Sequence, residues 1–162
     1  MPTENVNQSE ELNLDTKISV RNIAGWTVGF RRIETQGDVT ITHNGAVRLP
    51  RSEVIAQAQS GNRLFTGVDG MGSHATIYIE DEPTRLEIDF ENKEEKRTQK
   101  ILTDDVVKKL FEYKTMKTFE EKLQECVVTR AEKYAITQII KKLNINDHEK
   151  IRVVENYTGF KV

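Results

Sequence analysis

The chain has 162 residues, 36% of them hydrophobic and 31% charged, with a formal net charge of −2. That length makes one domain of ordinary size, or one domain with an appendage. The near-neutral balance gives no global attraction to nucleic acid or to an anionic membrane. The lone cysteine, Cys126, excludes an intrachain disulfide, and no run approaches the roughly 18 apolar residues of a membrane-spanning helix.

The charge is unevenly spread. Residues 1–92 carry 8 Lys and Arg against 14 Asp and Glu, whereas residues 93–162 carry 16 against 12. Opposite halves of this kind suit contacts between the halves or with neighbours in an assembly.

Residues 1–15 are polar and acidic and are expected to form a flexible arm. They lack the basic and apolar regions of a secretory signal, so synthesis in the cytoplasm is expected. A β-rich region then runs from 16 to 92. In KISVRNI, Ile18, Val20 and Asn22 share one strand face. In GWTVGFRRIE, Trp26, Val28 and Phe30 share another, with bends or bulges expected at Gly25 and Gly29. GDVTITHNGAVRL reads as a hairpin: Val39 and Ile41 alternate, Asn44-Gly45 turns, and Val47 and Leu49 alternate back.

PRSEVIAQAQSGN predicts one short inserted helix, capped by Ser52, with Val54, Ile55 and Ala58 as its stripe and Gly61 at its end. RLFTG and HATIYIED return to strand pattern through Ala75, Ile77 and Ile79. EDEPT reads as a turn, after which Leu86, Ile88 and Phe90 alternate as a further strand. ENKEEKRTQK, ten residues without an apolar member, is the natural boundary between the halves.

The region 93–162 reads helical. Thr103 caps a helix carrying Val106, Val107 and Leu110. Thr118 and Glu121 form a capping box ahead of Phe119, Leu123, Cys126 and Val127, and Thr129 and Glu132 form a second. That second box opens a helix that buries Ala131, Ala135, Ile136, Ile139, Ile140 and Leu143 and ends at Asn144. The last segment reads as a helix capped by Asp147 and stopped at Gly159, or as a strand through Ile151 and Val153; helix is the better reading. Strands followed by helices predict an α+β fold: a small antiparallel β domain with one inserted helix, then a helical region.

Chemistry is hard to place on this chain. The best candidate is LFTGVDGMGSHATIYIED, with Gly67, Gly70 and Gly72, Asp69 and His74. Its G-x-x-G-x-G order is not the dinucleotide fingerprint. No helix is expected after it, and no Gly-Lys-Ser/Thr follows. It reads as a strand-to-strand turn with glycines at positive φ. His43, His74 and His148 have no metal-ligand spacing, although His74 and Asp69 could meet. Cys126 reads as a core residue. No catalytic, cofactor-binding or metal residue is assigned, and a non-enzymatic protein is expected. Lys108, Lys109, Lys114, Lys117, Lys122, Lys133, Lys141 and Lys142 make nucleic acid the weaker alternative partner, because acids alternate with them.

The segments GWTVGFRRIETQGDVTITHNGAVRL and GNRLFTGVDGMGSHATIYIEDEPTR resemble small virion-associated proteins of tailed bacteriophages, over about residues 18–90. The resemblance transfers no catalytic motif. It implies a structural or auxiliary role in a phage particle, as a capsid or head–tail component. Its partners would be other virion proteins or copies of itself, with no role for a membrane.

Overall fold

The structure, a computed structural model, describes residues 12–162. Most of the polar arm predicted over 1–15 therefore lies outside the described residues. Five strands and seven helices follow in order. They are β1 (Lys17–Asn22), β2 (Val28–Arg31), β3 (Asp38–Ile41), β4 (Ala46–Pro50), α1 (Arg51–Gln59), α2 (Arg63–Thr66) and β5 (Ile77–Ile79), then α3 (Glu82–Glu87), α4 (Asp104–Phe111), α5 (Met116–Cys126), α6 (Arg130–Lys142) and α7 (His148–Thr158). The fold is α+β: antiparallel sheets with α1 and α2 set between β4 and β5, then a run of helices from α3 to α7. Among the described residues no helix is long and apolar enough to cross a membrane.

The strands form two antiparallel sheets, one ordered β4-β1-β5 and one pairing β2 with β3. Ile18, Val20 and Asn22 all face the interior of β1, as their alternation predicts. Asn22 is the polar member of that face, and it holds the two sheets together. Its amide donates to the Trp26 carbonyl at 2.8 Å and the Ile41 carbonyl at 3.1 Å, and its Oδ1 accepts from Ala24 N–H at 2.8 Å. A buried amide has to be satisfied in this way.

The predicted hairpin is not a hairpin. β3 pairs with β2, and β4 pairs with β1. The Asn44-Gly45 turn is present, with Gly45 N–H donating to the Thr42 carbonyl at 2.9 Å. Only Asn44 has positive φ, at 55°, whereas a two-residue hairpin turn of the Asn-Gly type needs both residues there. The turn instead hands the chain from one sheet to the other. Gly29 sits in register opposite Thr40 without a bulge, and Trp26 lies outside β2, 40% exposed.

One predicted inserted helix becomes three. RLFT forms α2 rather than a strand, capped by Asn62, whose side chain accepts from Leu64 N–H. The EDEPT turn is the start of α3: Asp81 caps it, and Pro83 occupies its first turn, where a missing N–H costs nothing. The strand expected through Leu86, Ile88 and Phe90 is therefore a helix end followed by a left-handed turn at Asp89, φ 62°.

α1 is capped neither by Ser52 nor by any side chain. Its first N–H groups go to the chain just before β1: Arg51 N–H donates to the Thr16 carbonyl and Ser52 N–H to that of Leu14, a residue of the arm expected to be flexible. Its inner face carries Val54 and Ala58, with Ile55 half-buried, but also Arg51, Glu53 and Gln57. Glu53 accepts from the N–H groups of Ile33 and Glu34 at 2.6 and 2.8 Å, and Gln57 donates to the Arg31 carbonyl at 2.7 Å. These polar residues fasten the β2–β3 hairpin to α1.

In the helical half, Thr103 caps α4, Asp147 caps α7, and Gly159 ends α7 at φ 77°. α5 begins one turn earlier than predicted. Thr115 is its cap and accepts from Thr118 N–H, so no Thr118–Glu121 box forms. The Thr129–Glu132 box is complete in both directions. Asn144 follows α6 at φ 52°, the left-handed position expected of it.

Two apolar cores result. The first gathers the strands with Val54, Phe65 and Phe90; the second gathers α4 to α7 around Val107, Phe119, Leu123, Ile136 and Val154. α6 serves both, placing Ala131 in the first and Ile136 and Ile140 in the second. Its N-terminus thus lies where the two halves meet.

Candidate functional site

The glycine-rich segment joins α2 to β5, so it is a helix-to-strand connection rather than the strand-to-strand turn expected. Gly67, Gly70 and Gly72 do take positive φ, at 69°, 77° and 87°. A β-carbon on Gly67 would lie 2.0 Å from the Ser73 carbonyl oxygen, and one on Gly72 would press on Phe90 and Gln99. Gly72 is buried, and its N–H donates to the Thr66 carbonyl at 2.7 Å. The loop is therefore packed closely against its own base.

Asp69 closes the loop from within. Its Oδ1 accepts from Met71 N–H at 2.8 Å and Ser73 N–H at 3.2 Å. Partial burial opposes ionisation of this carboxyl, but hydrogen bonds from Ser73 and Met71 outweigh it and hold the pKa below the ordinary carboxylate value. Asp69 is thus a turn residue. Its Oδ1 faces the loop's own amides, and His74 is paired elsewhere.

His74 goes elsewhere. Its φ is 58°, in the left-handed region, and its Nδ1 lies 2.8 Å from both oxygens of Glu132. Glu132 is 1% exposed. The same carboxylate accepts from the N–H groups of Val128 and Thr129, each at 3.1 Å. Glu132 therefore does two things at once: it completes the capping box of α6 and clasps the glycine-rich loop across the junction of the halves. The sequence exposes the first role through the Thr-x-x-Glu spacing. It offers no signal for the second, because 58 residues separate the partners.

Beside this clasp is an open cleft of about 650 Å³, lined by Asn62, Arg63, Leu64, Thr66, His74 and Thr129 among others. A larger one, of about 870 Å³, lies between the halves and carries Arg21, His43, Lys108 and Lys142 with Asp104 and Asp105. Its charges are mixed, and Lys142 is paired with Asp104 at 2.8 Å. Cys126 is half-buried beside the second core, and burial pushes its thiol pKa up, the opposite of an activated nucleophile. His43, between β3 and β4, and His148, at the start of α7, are both exposed. Among the described residues no three His, Cys, Asp or Glu side chains converge as metal ligands would.

The charge run at 91–100 is more than a linker. Gln99 within it is buried, and its side chain pairs with β5 as a strand would. Its amide donates to the Ile77 carbonyl at 3.0 Å and accepts from Ile79 N–H at 3.2 Å. This covers the open edge of the first sheet beside the loop.

Comparison of the chain with protein-family models, with curated proteins and with solved structures finds no match. The functional reading therefore rests on the geometry above.

Proposed function

We propose that this chain is a structural or auxiliary component of a phage particle, acting through protein–protein contacts made by the glycine-rich loop. Its partners are other particle proteins or copies of itself. The observation that carries the contact role is the orientation of the loop's side chains. A surface loop ordinarily turns its polar groups to water. Here Val68 and Met71 stand 60% and 43% exposed, while the equally surface-lying Asp69 directs its Oδ1 at the backbone N–H groups of Met71 and Ser73. Val128, beside the clasp, is also exposed. Apolar side chains held outward on a closely packed base lose little freedom when a partner covers them. The phage assignment is supported by the resemblance over residues 18–90.

Mass spectrometry of purified particles tests the assignment, and absence of the chain from them would remove it. Val68→Ser with Met71→Ser tests the surface: incorporation should fall while the melting temperature stays unchanged.

Nucleic-acid binding by residues 93–162 is the weaker proposal. Many of the basic side chains there have acidic neighbours, as in Lys122–Glu125, Lys142–Asp104 and Lys161–Glu155. Retention of the full chain on DNA or RNA at low salt, lost at moderate salt, is the result that would revive it.

A further inference from the structure

The outer face of the first sheet is positive, although its half of the chain is acidic. Because β1 alternates, Ile18, Val20 and Asn22 point inward and Lys17, Ser19 and Arg21 outward. The register sets Ser19 opposite Arg48 of β4 and Arg21 opposite Tyr78 of β5. Lys17, Arg21 and Arg48 are exposed, and Tyr78 is half-buried. Arg48 Nη2 donates to the Lys17 carbonyl at 3.1 Å, which holds the guanidinium beside Lys17. Three of the eight Lys and Arg residues of 1–92 thus share one face. Among the described residues its one acid is Glu80, held by Arg21 Nε at 3.2 Å and by the Ser19 hydroxyl at 2.7 Å. Lys17 and Arg48 have no carboxylate partner among the described residues. Arg21 also lines the 870 Å³ cleft between the halves, together with Lys108, Lys142 and Tyr134. The acids of that cleft are Asp104, paired with Lys142, and Asp105.

We propose that this face binds single-stranded nucleic acid, with Lys17, Arg21 and Arg48 on its phosphates, Tyr78 against a base, and the strand leaving along the cleft. The site is separate from the contact loop and from the exposed lysines of α5.

The partner follows from charge and shape. Cations on an open surface attract phosphates, and the release of counterions drives the association. β1 has six residues, so the face is about 20 Å long, with strands about 5 Å apart. A duplex is read by an element inserted into a groove, which a flat face does not supply. A single strand can lie along such a face, and its bases stack on an aromatic ring whatever their sequence. Tyr78 offers that ring, backed on one side by the buried Arg85 guanidinium at 5.3 Å from its centroid.

Fluorescence anisotropy of the full chain with a fluorescein-labelled oligothymidylate tests this. The chain should bind at low salt and release the strand as salt rises. Lys17→Gln with Arg48→Gln should make the slope of log affinity against log salt shallower by about 0.7 for each phosphate contact removed. The melting temperature should stay unchanged, because both side chains are exposed. Tyr78→Leu should weaken binding about fivefold or more, the scale of one lost base stack. Lys114→Gln with Lys117→Gln, at the start of α5, should leave affinity and slope as they were. No binding at low salt, an unchanged slope in the Lys17 and Arg48 variant, or loss of binding in the Lys114 and Lys117 variant overturns the proposal. So does displacement of the strand by poly-glutamate as readily as by unlabelled oligothymidylate, which would assign the face to an acidic polypeptide. If Tyr78→Leu fails to fold, the Lys17 and Arg48 variant and the competition decide.

Discussion

Gly25 lies against the ring of Tyr134, so close that a β-carbon at Gly25 would fall 1.8 Å from Cε1. Gly25 belongs to the β-rich half and Tyr134 to α6. Trp26 and Phe160 pack on the same ring, with centroids at 6.2 and 5.5 Å. The ring is hemmed in, and the missing side chain is what lets the halves close. Gly25→Ala should cost about 1–3 kcal/mol, the range of an overpacked contact. Urea unfolding should show a lower midpoint with the slope unchanged. Adding Tyr134→Ala should recover part of the loss, because the two changes share one contact.

Gln99 offers a second check on how the halves are joined. Its side chain satisfies Ile77 and Ile79, both fully buried. Gln99→Ala leaves a carbonyl and an N–H of β5 without partners, and should cost about 2 kcal/mol or more. Gln99→Glu keeps an acceptor for Ile79 N–H but sets a carboxylate against the Ile77 carbonyl, so it should be no better than alanine. A glutamate variant as stable as the parent would show that the edge is covered by something other than this side chain.

What could be read from the sequence follows from the range of the forces involved. Caps and stripes act within a few residues, so α4, α6 and α7 were legible through Thr103, the Thr129–Glu132 box and Gly159. Alternation was legible in β1, β3 and β5. It misled at Leu86, Ile88 and Phe90, where inward residues recur because a short helix ends and the chain turns at Asp89. Asp81 and Pro83 carry the true helix-start signal there. The polar face of α1 was illegible, because Glu53 and Gln57 are buried by partners on the β2–β3 hairpin. For the same reason, nothing local marks His74 as a partner of Glu132.

Acid should act through Asp81. Burial opposes ionisation of its carboxyl, but hydrogen bonds from Thr84 and the Arg51 guanidinium outweigh it, and the folded pKa lies below the ordinary value of 3.8. A depressed carboxylate contributes stability that is fully present above the unfolded value and is lost as pH falls through the folded one. The contribution should therefore fade below about pH 3.8. Asp81→Asn should be less stable at neutral pH, and its stability should fall less steeply over that acid range. Parallel acid limbs for the two proteins, measured by urea unfolding at each pH, would assign the acid sensitivity to other groups.

The glycine-rich loop gives the most discriminating comparison, because its three glycines are needed for different reasons. At Gly70 a β-carbon meets nothing within 4 Å, so Gly70→Ala pays only for the left-handed backbone, about 1–2 kcal/mol. At Gly67 the backbone, at φ 69° and ψ −150°, is in a region open essentially to glycine alone, and a β-carbon would collide with the Ser73 carbonyl at 2.0 Å, which no rotamer change can relieve. Gly67→Ala should therefore lower the melting temperature clearly more than Gly70→Ala. Asp69→Asn should change it least, because the amide oxygen can accept from Met71 and Ser73 N–H in the carboxylate's place. The order Gly67, Gly70, Asp69 follows from the loop being a turn held by sterics and backbone hydrogen bonds. If Asp69→Asn proved the most damaging of the three, the charge of Asp69 itself would be the requirement, and the loop would have to be read as a site for a cation. Melting curves of the three variants, recorded with and without a chelator, separate the two.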